Sequence, residues 1–454
     1  MRLGGTGLGV AGLASLAACA PAGSGSDGGT LKMLYFGDQK SATALQQRLQ
    51  PAVTKLDKKS KLVVTGINGT DWNDFIAKVL TQIAAGSPPD IISVATEGLQ
   101  LMASKDLAIP LDDYVKRDMK TLKGDYFDDV HPSLIESMMY QGHLYELTGD
   151  FNAGNMYYST DLFEKAGLDA PAADWTLDDF EAAATKIAKV SGNVNAFDWV
   201  VRLWGSWTSF MYANEANLVE EGKYSGGDWL WSSAYAGDPA AQGRSGGWKW
   251  GQPTANAAGT VEALDYMIEL KKKMLAPSPD VGGGQTLQGL FSSGRIGMAI
   301  GGGFWAGGLY NAGMKNGSFD VQLFPKWKSQ RHLFGNGGYG ILNSSKQKDL
   351  AWEVLKLLVA PSSFDIISPG NVTTPARKSL MTAERYAETG PKNWDIFYKT
   401  LTDHPDTAPI PAPPYYNAMA TALNRRTTQA MSSGSAKSAL DGLQADLEAA
   451  AKSV

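Results

Sequence analysis

Apolar and polar positions along the first hundred residues alternate between two periods. Residues 31–36 form a short apolar run, and 61–67 and 91–95 form two more; each is short enough for a strand and bounded by polar or turn residues. Between them the period changes. Residues 41–57 read as a helix, and Trp72, Phe75, Ile76, Val79, Leu80 and Ile83 fall on one face of another that Asp71 is placed to cap. AGSPPD at 85–90 stops that helix. Strand–helix–strand–helix–strand with short turns predicts a parallel sheet covered by helices. Ligands on such sheets sit outside the carboxyl ends of the strands, which points to Asp38 after the first strand, Asn68 after the second, and Thr96 and Glu97 after the third.

A second informative pattern is LFSSGRIGMAIGGGFWAGGLY at 290–310. Ile296, Met298 and Ile300 alternate as a strand that runs into Gly301, Gly302 and Gly303, with Phe304 and Trp305 just beyond. Glycines at a strand end allow a bend or a close approach, and an indole held there has a face on which an apolar ring face can stack. Trp305 is therefore expected to form a ligand platform beside Gly303; the competing reading makes it a core aromatic next to a turn. Trp72, on its apolar helix face, is expected in the core. Thr176 and Asp179 have the spacing of a capping box before a helix over 177–190. Residues 261–275 and 350–359 read as further amphipathic helices, and Leu440, Leu443 and Leu447 as the seam of the last one.

Composition narrows the function. The chain has 454 residues, 43% of them hydrophobic and 19% charged, enough for two or three domain-sized cores. A net charge of −5 without basic runs argues against a nucleic-acid partner. The 13 Trp, 17 Tyr and 51 Gly suit loop-rich recognition of a small polar ligand by ring stacking, and equally suit a large α/β protein with long loops. The single cysteine, Cys19, excludes an internal disulfide and a thiolate zinc site; His131, His143, His332 and His404 show no metal-ligand spacing. No metal and no cofactor is expected. A P-loop signature is absent.

Residues 8–18 (LGVAGLASLAA) are too short to span a bilayer and read as the apolar region of a signal peptide. The ending Leu16-Ala17-Ala18-Cys19 resembles a bacterial lipobox, so residues 1–19 are expected to be a lipoprotein signal, with Cys19 lipidated and the mature chain beginning there, outside the cytoplasm. The segment before the apolar region is poor in charge, which places the expected true start upstream of Met1. Gly7, Gly9 and Gly12 spell a dinucleotide-binding fingerprint, but no strand precedes it. Residues 20–29 (APAGSGSDGG) read as a flexible tether.

From residue 31 onward the chain resembles the extracellular solute-binding proteins of ABC importers, in their sugar-binding group. AAGSPPDIIS resembles the family's AAGxxPDVI, LAIPLDDY its LxPLDDY, HLYELT its GxLYGLP, MYYSTDLFEKAG its LYYNKDLFEKAG, and WTLDDF its TWxEF. The 290–305 stretch resembles FxxGKAAMxxxGxW. The resemblance implies a two-lobed periplasmic-binding-protein fold of type II-like α/β lobes, with a ligand cleft and hinge between them. Crossings are placed near 148–150, 337–341 and 374–378; lobe one is then 30–148 plus 340–375, and lobe two 149–337 plus 376–454. It implies a monomeric, non-enzymatic protein that captures a di- or oligosaccharide and delivers it to permease subunits of an ABC transporter. By the same resemblance Trp204 and Trp207 in RLWGSW add aromatic contacts from lobe two, and an aromatic at Tyr415 or Tyr416, after the proline-rich APIPAPP, closes the site. Gly337, Gly338 and Tyr339 are candidates for a backbone wall, and the aromatics of DWLW at 228–231 and WKW at 248–250 for exposed loop contacts. Asp38, Glu97, Asp150 and Asn152 are the polar candidates, because a carboxylate accepts two neighbouring sugar hydroxyls in charge-assisted bonds. The alternative is a secreted glycoside hydrolase, which needs two carboxylates flanking one bond; no local pattern singles out such a pair.

Overall fold

The computed structural model of the protein describes residues 29–69, 71–281 and 284–454; the lipobox and Cys19 lie outside them. The first strand, Thr30–Phe36, pairs in parallel with Lys61–Ile67 on one side and Ile91–Ala95 on the other. The helix joining the first two, Gln39–Leu56, starts where Asp38 accepts the Ser41 N–H at 2.7 Å, and it buries Ala42, Leu45, Leu49 and Val53 as one stripe. Asp71 caps the next helix, Trp72–Ala84, by accepting the Asp74 N–H at 2.9 Å.

Beyond these three strands the sheet is mixed rather than parallel. Leu333–Ile341 lies antiparallel to Ile91–Ala95, and Leu147–Ala153 lies antiparallel to it in turn. Thr374–Pro375 closes that edge, and Ala408–Pro409 pairs with the start of Leu333–Ile341. The second sheet has the order Phe319–Gln322, Asn155–Ser159, Ile296–Gly301, Asn195–Asp198. Its core is built on Phe180, Phe197, Phe210 and Phe324, and the C-terminal helices Tyr416–Ser433 and Ala436–Ala451 pack onto it, the last through Leu440, Leu443 and Leu447. Each sheet with its helices is one lobe.

The chain passes between lobes where strands run on. Only Gly154 separates Leu147–Ala153 in the first sheet from Asn155–Ser159 in the second. The return falls between Phe319–Gln322 and Leu333–Ile341. The positions expected from sequence, 148–150 and 337–341, lie inside first-sheet strands instead.

The segment 219–253 also departs from the expected boundary. Its ends, Val219–Lys223 and Trp248–Pro253, pair antiparallel, with Trp248 and Trp250 stacked at 5.5 Å against the second lobe. Between them, Asp228–Ala234 sinks Leu230, Trp231 and Ala234 into the first lobe's core. Tyr235 donates from its hydroxyl to the Val130 carbonyl at 3.0 Å, and Lys223 pairs with Glu136 at 2.7 Å. The insertion thus ties both lobes together, and Trp231 packs rather than binds.

Candidate functional site

Between the lobes lies a cavity of about 430 Å³, within the usual range for small-molecule sites. Its first wall follows from the carboxyl ends of the parallel strands. Phe36 ends the first strand and meets Trp72 in a tilted ring contact at 4.4 Å; Trp72 opens the capped helix and Asn73 follows it. Glu97 sits in the first turn of Thr96–Ser104, directly after the third strand. The floor comes from the crossing strands: Asp150 and Asn152 on one, Gly335, Gly337 and Tyr339 on its partner. Gly337 is required here, because any Cβ would run into the Asp150 carboxylate.

The second wall is built around Trp204. The strand Val200–Val201 ends, Arg202 and Trp204 follow, and Gly205 turns the chain at a left-handed φ of 61° before the helix Trp207–Ala213. Trp204 donates its Nε1–H to the Asn152 carbonyl at 3.1 Å, lies 5.5 Å from the Phe304 ring, and carries the Arg202 guanidinium 5.1 Å from its own ring centroid. Asn152 holds this corner together: its Oδ1 accepts the Phe304 N–H at 3.3 Å and its Nδ2 donates to Thr373 at 2.9 Å. Tyr416 and Asn424, from the penultimate helix, complete the wall.

Burial sets the electrostatics. Glu97, only 7% exposed, is pushed up to about 7, chiefly by loss of solvent and secondarily by Asp71 and Asp150. Asp150 is raised to about 6 by burial, against the opposing hydrogen bonds of Thr373 and the Gly337 N–H. Glu146, beneath them, is raised well above the ordinary range by burial and by Glu97. Burial also lowers Arg202 to about 10. Glu97 Oε2, Asn73 Oδ1, Asn424 Oδ1 and Arg202 Nε and Nη2 are buried without a hydrogen-bond partner in the protein. Such groups are costly unless something satisfies them, and all four side chains line this one cavity. Two aromatic walls with unsatisfied donors and acceptors between them suit a ligand with apolar ring faces and polar edges.

Of the residues singled out from sequence, the structure brings Glu97, Asp150, Asn152, Trp204, Gly337, Tyr339 and Tyr416 to the cavity. The others lie elsewhere. Trp305 is fully buried, at 5.2 Å from Tyr157 and 5.4 Å from Phe291, so it presents no face to a ligand and the platform expectation is corrected. Gly303 precedes the helix Phe304–Asn311 and is glycine because a Cβ would collide with Thr374 Oγ1. Trp207 is buried and donates to Thr427 at 3.0 Å. Tyr415 packs in the second lobe's core, outside the cavity lining. Asp38 is an exposed helix cap, and Asn68 is exposed with its carbonyl accepting from Lys78 at 2.7 Å. Gly338 backs onto Glu146 beside a recess of about 30 Å³ that adjoins the cleft.

Arg202 and Phe304 were not expected at the site, and Trp72, expected in the core, lines the cavity. Arg202 stands two residues before Trp204, and a charged residue in that otherwise uncharged motif was the available signal. Phe304 had a signal in the family pattern, whose tryptophan falls on it once Phe291, Gly294, Met298 and Gly302 are aligned; Trp305, one residue on in a helix, points about 100° away.

A cleft of this kind between two mixed α/β lobes defines a two-lobed solute-binding protein. Residues 38–363 match the family model of bacterial extracellular solute-binding proteins, and the chain belongs to that family. A Brucella abortus protein whose name describes it as a binding protein is 26% identical over 294 residues, which is 63% of this chain and 62% of that one. The match therefore spans about three fifths of that relative's length. The galactooligosaccharide-binding protein of Bacillus subtilis is 22% identical over 81% of this chain and 78% of its own. In structure, an ABC substrate-binding protein from Listeria monocytogenes in complex with cycloalternan superposes with a TM-score of 0.72 at 22% identity, covering 92% of this chain and 97% of the other.

Proposed function

We propose that the protein captures a carbohydrate, a di- or oligosaccharide, between its lobes and delivers it to the permease of an ABC importer, held at the outer face of the cell membrane by a lipid on Cys19. The observation that carries the ligand class is the pairing of aromatic walls, Trp204 with Phe304 and Trp72 with Phe36, with unsatisfied buried polar atoms between them. Sugar rings offer that same combination of apolar faces and hydroxyl edges. The family and the sugar-binding relatives support this reading over a hydrolase.

A thermal-shift panel of mono-, di- and oligosaccharides tests it, because a ligand that binds only the folded state raises its melting temperature. At least one sugar should raise it with no product formed on long incubation. Hydrolysis of that sugar would support the enzyme reading; a flat panel would remove the carbohydrate assignment. The anchor is tested separately: Cys19→Ser should release the protein from the membrane fraction with its ligand affinity intact, and its retention there would overturn lipidation.

A further inference from the structure

Buried acids elsewhere among the described residues have partners in the protein: Asp112, Asp198 and Asp320 accept hydrogen bonds at 2.8–2.9 Å. Glu136, fully buried, pairs with Lys223 at 2.7 Å and Arg244 at 2.9 Å. The cleft breaks this pattern. Its one arginine, Arg202, feels Asp71 at the cavity's edge as its main opposite charge. Glu97 and Asp150 both line the cavity, and no cation stands among the groups acting on either of them. Glu97 is more than nine-tenths buried and its Oε2 has no partner. Glu146 lies directly behind, again with an unpartnered Oε2 and no cation acting on it.

Hydroxyl groups can give such carboxylates hydrogen bonds, but only a proton or a cation offsets the charge that burial makes costly. The surrounding rings of Trp72, Tyr35 and Tyr339 favour a cation as well, through their negative faces. We infer that the ligand brings the missing base: the cleft takes a carbohydrate carrying a free amino group, its ammonium seated against Glu97 and Asp150. This rests on the carbohydrate reading above and narrows it to amino sugars. Arg202, with its unpartnered Nε and Nη2, is left for the hydroxyls of a neighbouring ring.

The test uses the full chain and calorimetric titration with matched sugars of one to three rings, in gluco and galacto configuration. Each is offered in three forms: hydroxyl, free amine and N-acetylated amine. Charge-assisted hydrogen bonds exceed neutral ones by enough to give the free amine an advantage of about 10-fold over both other forms. Glu97→Gln should shrink the ratio of free-amine to N-acetyl affinity towards one, a readout that general weakening of the site would not move. Equal or tighter binding of the hydroxyl or N-acetyl form overturns the amino-sugar inference while leaving the carbohydrate reading standing. Absence of binding by every form overturns both.

Discussion

Phe304 and Trp305 are adjacent in sequence and opposite in role. Trp305, fully buried among Tyr157 and Phe291, should cost about 3–5 kcal/mol of stability as Trp305→Ala, with affinity preserved in the folded fraction. Phe304→Ala should show the reverse pattern. Urea unfolding and titration of both variants distinguish them. Glu97 makes a prediction of its own. Its folded carboxyl binds a proton more readily than the unfolded one, about 7 against 4.5, so its contribution favours folding below pH 4.5 and is lost as pH rises through 7. Glu97→Gln should therefore stabilise the unliganded protein at pH 8, by on the order of 1–3 kcal/mol, while weakening the ligand. A melting curve for the variant that falls below the wild type at pH 8 would contradict this. At this scale the sequence was legible by residue type and less so by direction. Polar residues at strand ends marked Glu97 but also Asp38 and Asn68, because a strand end followed by a helix offers a capping position and a ligand position with the same residues.

Elements with local partners were readable, and those with distant ones were not. Thr30–Phe36, Lys61–Ile67 and Ile91–Ala95, with their helices, stand within a residue or two of the periodicity. The antiparallel neighbours Leu147–Ala153 and Leu333–Ile341 pair across nearly two hundred residues, and nothing in either run announces the other. The insertion 219–253 shows the same limit. Its tryptophans suggested an exposed binding loop, yet they pack against two lobes at once. The tie through Lys223 and Glu136 should matter to the insertion's hold on the first lobe. Lys223→Met leaves Arg244 as the remaining base on Glu136, and should cost about 1–2 kcal/mol locally. Hydrogen exchange in 224–247 should accelerate by about 5- to 30-fold. Unchanged protection there would show that apolar packing alone holds the segment.

For the whole molecule, the cleft walls come from different lobes and its floor from the strands that join them, so ligand contacts on both sides favour closure. Shifting an open-to-closed ratio from 1:99 to 99:1 takes about 5.5 kcal/mol of differential binding, and a micromolar ligand releases about 8 kcal/mol in total. Neither wall alone accounts for that. Small-angle scattering should show a smaller radius of gyration at saturation with a verified ligand; superimposable curves would rule out large closure. The most direct test of the central claim, that a sugar is held in this cleft on the Trp204 wall, is calorimetric titration of the best sugar from the panel into the wild type and Trp204→Ala. Losing a stacked ring face of roughly 100 Å² removes about 2.5 kcal/mol of burial plus about 0.5–1.5 kcal/mol of stacking. The account predicts one site per chain and an affinity loss of about 100-fold or more; equal affinity in the two proteins would contradict it.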